Sequence, residues 1–123
     1  MIEVNEYVRT KDGHIAKYIE KLAKDEDVSD GMLFDGYIYE KHKHIRYSFL
    51  KEIIVKHSKQ LIDLVEVGDY VNGKYVQKIK SDRNGKYILA LIGIIEEQDI
   101  KTILTKEQFE ANCYKVGGED EEI

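Results

Sequence analysis

The chain has 123 residues, of which 42% are hydrophobic and 35% are charged, and its formal net charge is −5. This length fits one ordinary domain or two very small ones. The single cysteine excludes a disulfide framework and a zinc site built from several cysteines. The longest membrane-like run, residues 87–95, is much shorter than the ~20 residues of a spanning helix. The N-terminus lacks the apolar segment of a signal peptide, so we expect a cytoplasmic protein.

The charges are unevenly distributed along the chain. Residues 1–40 carry five bases and ten acids, residues 41–60 carry six and one, and residues 61–123 carry eight and thirteen. A basic band therefore lies between two acidic stretches. Such an asymmetry is informative about binding partners rather than about the fold.

One pattern occurs twice: Val, any residue, an acid, Tyr, Val, a turn with Gly, and then an apolar segment. Residues 4–19 read VNEYVRTKDGHIAKYI, and residues 67–79 read VGDYVNGKYVQKI. The Asp-Gly and Asn-Gly dipeptides accept positive φ, so each copy predicts a β-hairpin. In chain order, the repeated acids and tyrosines are Glu6, Tyr7, Asp69 and Tyr70.

Each copy continues with two strand-like runs, and then with a short helical turn and a final strand. In the second copy, Thr105 and Gln108 have the spacing of a capping box, in which the threonine accepts from the third helical N–H and the glutamine reaches back. This spacing predicts a helix over residues 106–112. Cys113 would then lie in the last strand as an inert core residue.

Residues 15–25 have two interpretations. Ile15, Tyr18, Ile19 and Leu22 have the spacing of a helix, whereas the repeat predicts a strand. We favour a strand to Ile19, followed by an exposed acidic loop over residues 24–30. A single helix near residues 15–25 is the alternative.

These observations predict a mainly β protein with short helices, built as two tandem small barrels of the SH3-like or KOW-like type. A repeat of ~60 residues suits a small five-stranded barrel, in which closure removes exposed sheet edges. We expect Leu61, Ile62 and Leu64 of the linker to be buried between the two halves. The predicted segments are a first barrel at 1–58, a linker at 59–66, a second barrel at 67–117 and a disordered acidic tail at 118–123.

No arrangement of residues in the sequence predicts catalysis. His42 and His44 alternate with lysines, so both imidazoles would face one side of a strand, but neighbouring cations would repel a metal ion. The glycines match no phosphate-binding motif. We therefore expect a protein that is not an enzyme, with no catalytic residues, no metal and no cofactor.

Nine of the twelve aromatic residues are tyrosines, and several of them lie in or beside the basic band. Aromatic rings flanked by cations hold single-stranded nucleic acids, so a nucleic-acid or nucleotide site at residues 37–59 is one hypothesis. The pI near 5.4 argues against a dedicated nucleic-acid binder. The candidate residues of this band are Tyr37, Tyr39, Lys41, Lys43, Arg46 and Tyr47.

The acidic stretches suggest the opposite role. Carboxylates in a loop could occupy a cationic groove on another protein in place of nucleic acid, with tyrosines as anchors. The partner would then be a protein with a basic surface. The candidate residues of this acidic face are Glu26, Asp27, Asp30 and Asp35.

The segment KHSKQLIDLVEVGDYVNGKYV, residues 56–76, resembles uncharacterised small proteins encoded by phages and prophages of low-GC Gram-positive bacteria. The run GDYVNGKYVQKI also resembles the opening hairpin of SH3-type, KOW and oligonucleotide-binding barrels. The first resemblance implies a protein that binds and inhibits a host factor, such as a nucleic-acid-binding defence effector in the host cytoplasm. Anti-CRISPR-like proteins are one such class, and the resemblance supplies no catalytic residues.

Overall fold

A computed structural model describes residues 2–21, 32–38, 43–47 and 53–117. The strands of the first half are β1 (Tyr7–Thr10), β2 (Ile15–Lys21), β3 (Met32–Ile38), β4 (Lys43–Tyr47) and β5 (Ile54–Ser58). Those of the second half are β6 (Tyr70–Val71), β7 (Lys74–Asp82), β8 (Gly85–Ala90), β9 (Ile94–Glu96) and β10 (Ile103–Leu104), followed by the helix α1 (Lys106–Asn112). Short 3₁₀ turns lie at Leu61–Leu64 and Glu97–Asp99.

The two halves have the same strand order. The sheets run β4-β3-β2-β1-β5 and β10-β6-β7-β8-β9, so in each half four consecutive strands form an antiparallel meander and the fifth strand pairs with the first. The predicted mainly β class is therefore confirmed. Both sheets are open, since no pairing joins their outer strands in the ranges that the structure describes.

Both predicted hairpin turns are confirmed. Gly13, between β1 and β2, has φ 87°, and Asn72 and Gly73, between β6 and β7, have φ 55° and 79°. Asn72 and Gly73 thus have the positive φ at both central residues that a type I′ turn requires, whereas the first turn has positive φ at Gly13 alone. The turn residues thus set the register of the first hairpin in each half.

The segment that begins at Ile15 is a strand, and the helical alternative is wrong through Lys21. Residues 22–25 and the acidic loop predicted at 24–30 lie outside the described residues. β2 is hydrogen-bonded to β1 on one side and to β3 on the other. Alternate residues Ala16 and Tyr18 are buried, and the Tyr18 ring lies 5.5 Å from that of Phe34. Pairing on both sides and burial of every second residue outweigh the local helical spacing.

Each half has its own hydrophobic core. Val8, Ala16, Tyr18 and Phe34 form the first, and the second is centred on Val71, Val76, Ile88 and Ile95. The linker contributes to the second core, because Ile62 also packs into it. Ile62 and Leu64 are buried, although Ile62 packs within the second core and not between the halves as predicted, and Leu61 is only half-buried.

The predicted helix is confirmed as α1, with Thr105 Oγ accepting from the backbone N–H of Gln108 at 3.3 Å. The strand predicted after it is wrong: the fifth strand of the second half is β10, which precedes α1, and residues 113–117 contain no strand. Cys113 is therefore not a core strand residue, and Tyr114 and Val116 are exposed. No helix within the described part of the chain is long and apolar enough to cross a membrane.

Candidate functional site

The repeated acid is buried in both halves. Glu6 is 8% exposed and Asp69 is fully buried. Each carboxylate accepts a hydrogen bond from the backbone N–H three residues earlier, at 3.4 Å from Glu3 and at 2.7 Å from Glu66. The acid therefore holds the chain as it enters the first strand of each half, which is a structural role.

The two acids differ in their partners. Glu6 contacts a residue of its own half, with 2.6 Å between its Oε1 and His57 Nδ1, and this hydrogen bond lowers the pKa of Glu6. Asp69 instead contacts Arg9, which belongs to the other half. The acid at the same position of the repeat thus forms a contact within its own half in the first copy, and a contact between the two halves in the second copy.

Arg9 lies at the centre of the contact between the halves and is 1% exposed. Its guanidinium donates to both oxygens of Asp69 at 2.6 and 3.0 Å, to Glu107 at 2.7 Å and to the Leu64 carbonyl at 2.9 Å. Burial disfavours the charge of Arg9, but the hydrogen bonds to Asp69 and Glu107 and the charges of Asp69 and Glu66 together outweigh it, so the pKa of Arg9 is raised. Bidentate pairing of this kind compensates for the desolvation of both groups.

Glu66 extends this cluster toward solvent. Its carboxylate lies 2.8 Å from Lys106 Nζ, 3.1 Å from Lys56 Nζ and 3.6 Å from Arg9. Burial raises the pKa of Glu66, but hydrogen bonds from Lys106 and Lys56, together with the charges of Arg9 and Lys56, outweigh this and lower it to about 2. Together, Arg9, Lys56, Glu66, Asp69, Lys106 and Glu107 form what we call the ionic network.

Acidification should destabilise the fold through Glu66. Its pKa is about 2 in the folded state against an ordinary value of 4.5, so the unfolded chain binds the proton first as the pH falls. The contribution of Glu66 is fully present above pH 4.5 and is lost between pH 4.5 and 2; it amounts to at most about 3 kcal/mol. Urea denaturation across this range should show a shallower pH dependence for Glu66→Gln than for the wild type. The exposed Glu20→Gln is the control, and equal slopes for Glu66→Gln and the wild type would contradict this role.

The β1–β2 turn packs against the start of α1. Thr105 Oγ donates to the Gly13 carbonyl, and Gln108 Nε2 donates to the Asp12 carbonyl, both at 2.7 Å. Gln108 does not complete the predicted capping box, because its Oε1, the atom that would accept from the Thr105 N–H, accepts from Asn112 Nδ2 at 3.1 Å while its Nε2 binds the other half. A Cβ at Gly13 would lie 2.8 Å from Glu107 Cβ and closer still to Thr105 Oγ. This approach of the two halves requires glycine.

A groove of about 1120 Å³ lies between the two halves. On its first wall, the strand register places Tyr7, Lys17 and Asp35 in one row across three strands. Lys17 Nζ lies 5.6 Å from the centroid of the Tyr7 ring, within the range of a cation–π contact. Tyr37 and His44 also line this wall, with their rings edge to face at 5.3 Å.

The second wall comes from β6, β10 and α1. The Tyr70 ring lies 5.2 Å from that of Phe109 and 5.6 Å from that of Tyr75, and the chain from Ile100 to Leu104 completes the wall. Tyr7 and Tyr70 occupy the same position in the two repeats. The groove is thus lined by the repeated tyrosine of each half.

The predicted tyrosine-rich basic band is described in part. Tyr37 lines the groove, and Arg46 lies opposite Asp35 in the β3–β4 register. Lys43 is exposed at the start of β4, and Tyr47 lies at its end. Tyr39 and Lys41 lie outside the described residues.

The predicted acidic face is described only at Asp35, since Glu26, Asp27 and Asp30 lie outside the described residues. Asp35 lines the groove with its carboxylate 3.3 Å from His44 Nδ1. The structure therefore brings Asp35 together with Tyr37 and Arg46, which the sequence assigned to a different face.

Several groove residues were not singled out as binding residues from the sequence. Tyr7 and Tyr70 were identified only as repeat positions, and Lys17 and Phe109 were not identified at all. The repeat itself was the available signal, because equivalent positions in two similar halves tend to occupy equivalent surfaces. Arg9 carried no local signal, since its acidic partners lie 60 and 98 residues away.

The groove lining offers aromatic rings, two lysines and one carboxylate, together with the His44 imidazole and the Cys113 thiol. The described residues include no cluster of three or more metal-ligating side chains, and His42 is outside them. Cys113 lines the groove, with Sγ 3.5 Å from Lys115 Nζ. These groups are suited to binding through stacking and charge.

Comparison with known proteins gives no match to this chain among family models, curated proteins or solved structures.

Proposed function

We propose that the protein is a non-enzymatic binding protein and that the groove between its halves is the binding surface. The observation that carries this proposal is that Tyr7 and Tyr70, equivalent in the two repeats, line the same groove. The ionic network fixes the two walls through buried contacts of Arg9. A rigid aromatic groove binds a partner at low entropic cost, because few side chains must be ordered.

The partner is a host protein, and the setting is a phage or prophage. The resemblance of residues 56–76 to phage-encoded proteins supports this origin. The protein would occlude a basic surface of a host factor in the host cytoplasm, in the manner of anti-defence proteins such as anti-CRISPRs. Asp35 supports the electrostatic part of this mechanism, because its carboxylate lines the groove, where it contacts His44 and would accept a further hydrogen bond from a cationic side chain of the partner.

Single-stranded nucleic acid, or a nucleotide, is the second candidate. The specific observation in its favour is that each wall combines an aromatic ring with a lysine: Tyr7 with Lys17 on one side, and Tyr70 with Lys101 on the other. Bases stack on such rings while phosphates interact with the lysines. The acidic pI and the presence of Asp35 in the groove make this the weaker candidate.

We also propose that each half is an SH3-like or KOW-like small barrel. The identical strand order of the two halves supports this, as does the 3₁₀ turn Glu97–Asp99 between the fourth and fifth strands of the second half. An experimental structure in which β4 curls toward β5, and β9 toward β10, would support the proposal. Two flat open sheets would contradict it.

Two binding assays separate the candidate functions. We expect the immobilised protein to retain a specific protein from the lysate of a low-GC Gram-positive host, and Asp35→Lys to weaken this retention at least fivefold. We expect 20-nucleotide DNA and RNA to give no mobility shift at 150 mM salt. The control is Asp82→Lys, an exposed acid outside the groove. A salt-sensitive shift that is lost in Lys17→Glu and Lys101→Glu would overturn the protein-binding proposal in favour of nucleic acid.

A further inference from the structure

The β8–β9 hairpin exposes aliphatic side chains at its tip. Leu91, Ile92 and Ile94 are 65%, 73% and 61% exposed. None of them lines the groove. They form, with Leu89, what we call the aliphatic patch.

These residue types are unusual for a hairpin turn. Three other hairpin turns in the described residues contain Asp12-Gly13, Asn72-Gly73 and Asn84-Gly85, in which each glycine has the positive φ that such turns require. At the β8–β9 turn only Gly93, with φ 97°, serves such a requirement. Leu91 and Ile92 therefore expose apolar surface without contributing the backbone conformation or hydrogen bonds that a turn needs. Residues that depart from the usual composition of a turn in this way mark functional positions.

The strand register extends the patch over one face of the second sheet. Lys78, Leu89 and Ile94 lie opposite one another across β7, β8 and β9 and so form one row on the same face. The next row is Lys80, Tyr87 and Glu96. This face of the sheet therefore carries lysines on β7 and apolar side chains on β8, and it continues to the hairpin tip and to β9.

The lysines beside the patch have no acidic partner in the described ranges. Lys86, near the other end of the hairpin, is paired with Asp63 at 2.8 Å. No such ion pair with a described residue is formed by Lys74, Lys78 or Lys80. The Lys74 ammonium lies close to the turn, because its Nζ is 4.0 Å from the position that a Cβ on Gly93 would occupy. An apolar surface with cations along one side is complementary to an apolar segment that carries carboxylates.

We propose that the aliphatic patch is a second binding surface, which takes a protein segment of aliphatic or aromatic side chains flanked by carboxylates. The apolar residues of the segment cover Leu91, Ile92 and Ile94, and its carboxylates pair with Lys78 and Lys80, which lie on the same face of the sheet. This surface is separate from the groove. The protein would therefore contact two partner surfaces at once, or two sites on one partner, and gain affinity from both.

A peptide selection tests this chemistry. Random 12-residue peptides displayed on phage are selected on the wild-type protein, with counter-selection on Leu91→Ser/Ile92→Asn, and the enriched peptides are synthesised for affinity measurement. We expect these peptides to combine apolar and acidic residues. Their affinity should fall at least tenfold in Leu91→Ser/Ile92→Asn and at least threefold in Lys78→Glu, with no loss in the control Glu96→Lys.

Two outcomes would overturn the proposal. One is enrichment of peptides without acids, or of peptides that bind Lys78→Glu as tightly as the wild type. The other is sedimentation of the wild type, but not of Leu91→Ser/Ile92→Asn, with phosphatidylcholine vesicles containing 30% phosphatidylserine, which would assign the patch to lipid. All variants change exposed residues, and an unchanged urea midpoint verifies their folding.

Discussion

Replacement of Asp69 by alanine should destabilise the protein by about 3–5 kcal/mol. The change removes the bidentate partner of Arg9, which is 1% exposed and cannot turn to solvent without opening the contact between the halves. It also leaves the backbone N–H groups of Glu66 and Lys106 without their acceptor. Urea denaturation followed by tyrosine fluorescence measures the loss.

The repeat supplies the matched control for this experiment. Glu6→Ala removes the equivalent acid, but its partner His57 is 40% exposed and can hydrogen-bond to water. We expect a loss of about 1–2 kcal/mol there. The double variant Arg9→Met/Asp69→Leu should be less destabilised than the sum of its single changes, because no unpaired charge stays buried. A cost of less than 1 kcal/mol for Asp69→Ala would contradict the proposed importance of the pair.

Replacement of Gly13 by alanine should cost about 3 kcal/mol. The residue has φ 87°, where a side chain adds about 1–2 kcal/mol of backbone strain. The new Cβ would also collide with Thr105 and Glu107, and overpacking of this kind adds about 1–3 kcal/mol. Thermal and urea unfolding both measure the change.

Gly73 separates the two contributions. It has φ 79° in the equivalent turn of the second half, but no atom lies within 4 Å of a Cβ built on it. Gly73→Ala should therefore show the backbone strain alone, about 1–2 kcal/mol. The difference between the two variants measures the packing of the first turn on α1. Equal losses would mean that Gly13 is required by the turn and not by the contact between the halves.

Local signals predicted the hairpins and the helix. The positive φ at Gly13 and Asn72 follows from the turn chemistry of Gly and Asn, and Thr105 caps α1 in the predicted way. These features depend on residues within a few positions of one another. Gln108 was misassigned because its partner, the Asp12 carbonyl, lies 96 residues away in the other half.

Features that depend on the packing of the two halves could not be predicted in the same way. Arg9 reads as one more charge in an exposed-looking strand, yet it is buried by distant residues that neutralise it. The strand expected at Cys113 was inferred from the parallel with the first copy of the repeat, but residues 113–117 form no strand, and Tyr114 and Val116 are exposed. The groove depends on both features, since Arg9 joins the two halves and the end of α1 with Cys113 lines one side of the groove.

The repeat was the most informative sequence feature for the site. It placed Glu6 with Asp69 and Tyr7 with Tyr70, and the structure gives these pairs equivalent environments: buried acids and tyrosines that line the groove. Tyr37 was selected on composition and also lines the groove. The repeat did not predict that the two tyrosines would line one groove between the halves.

The most direct test of the shared groove is the affinity of the purified host partner for Tyr7→Ala and Tyr70→Ala, measured by isothermal titration calorimetry. If both halves contribute one wall, each variant should bind at least about tenfold more weakly than the wild type, since central aromatic side chains dominate binding. The control Tyr114→Ala changes a tyrosine that is 85% exposed and outside both the groove lining and the aliphatic patch, and it should leave the affinity unchanged. Wild-type affinity in both Tyr7→Ala and Tyr70→Ala, with unchanged urea midpoints, would contradict binding in the groove.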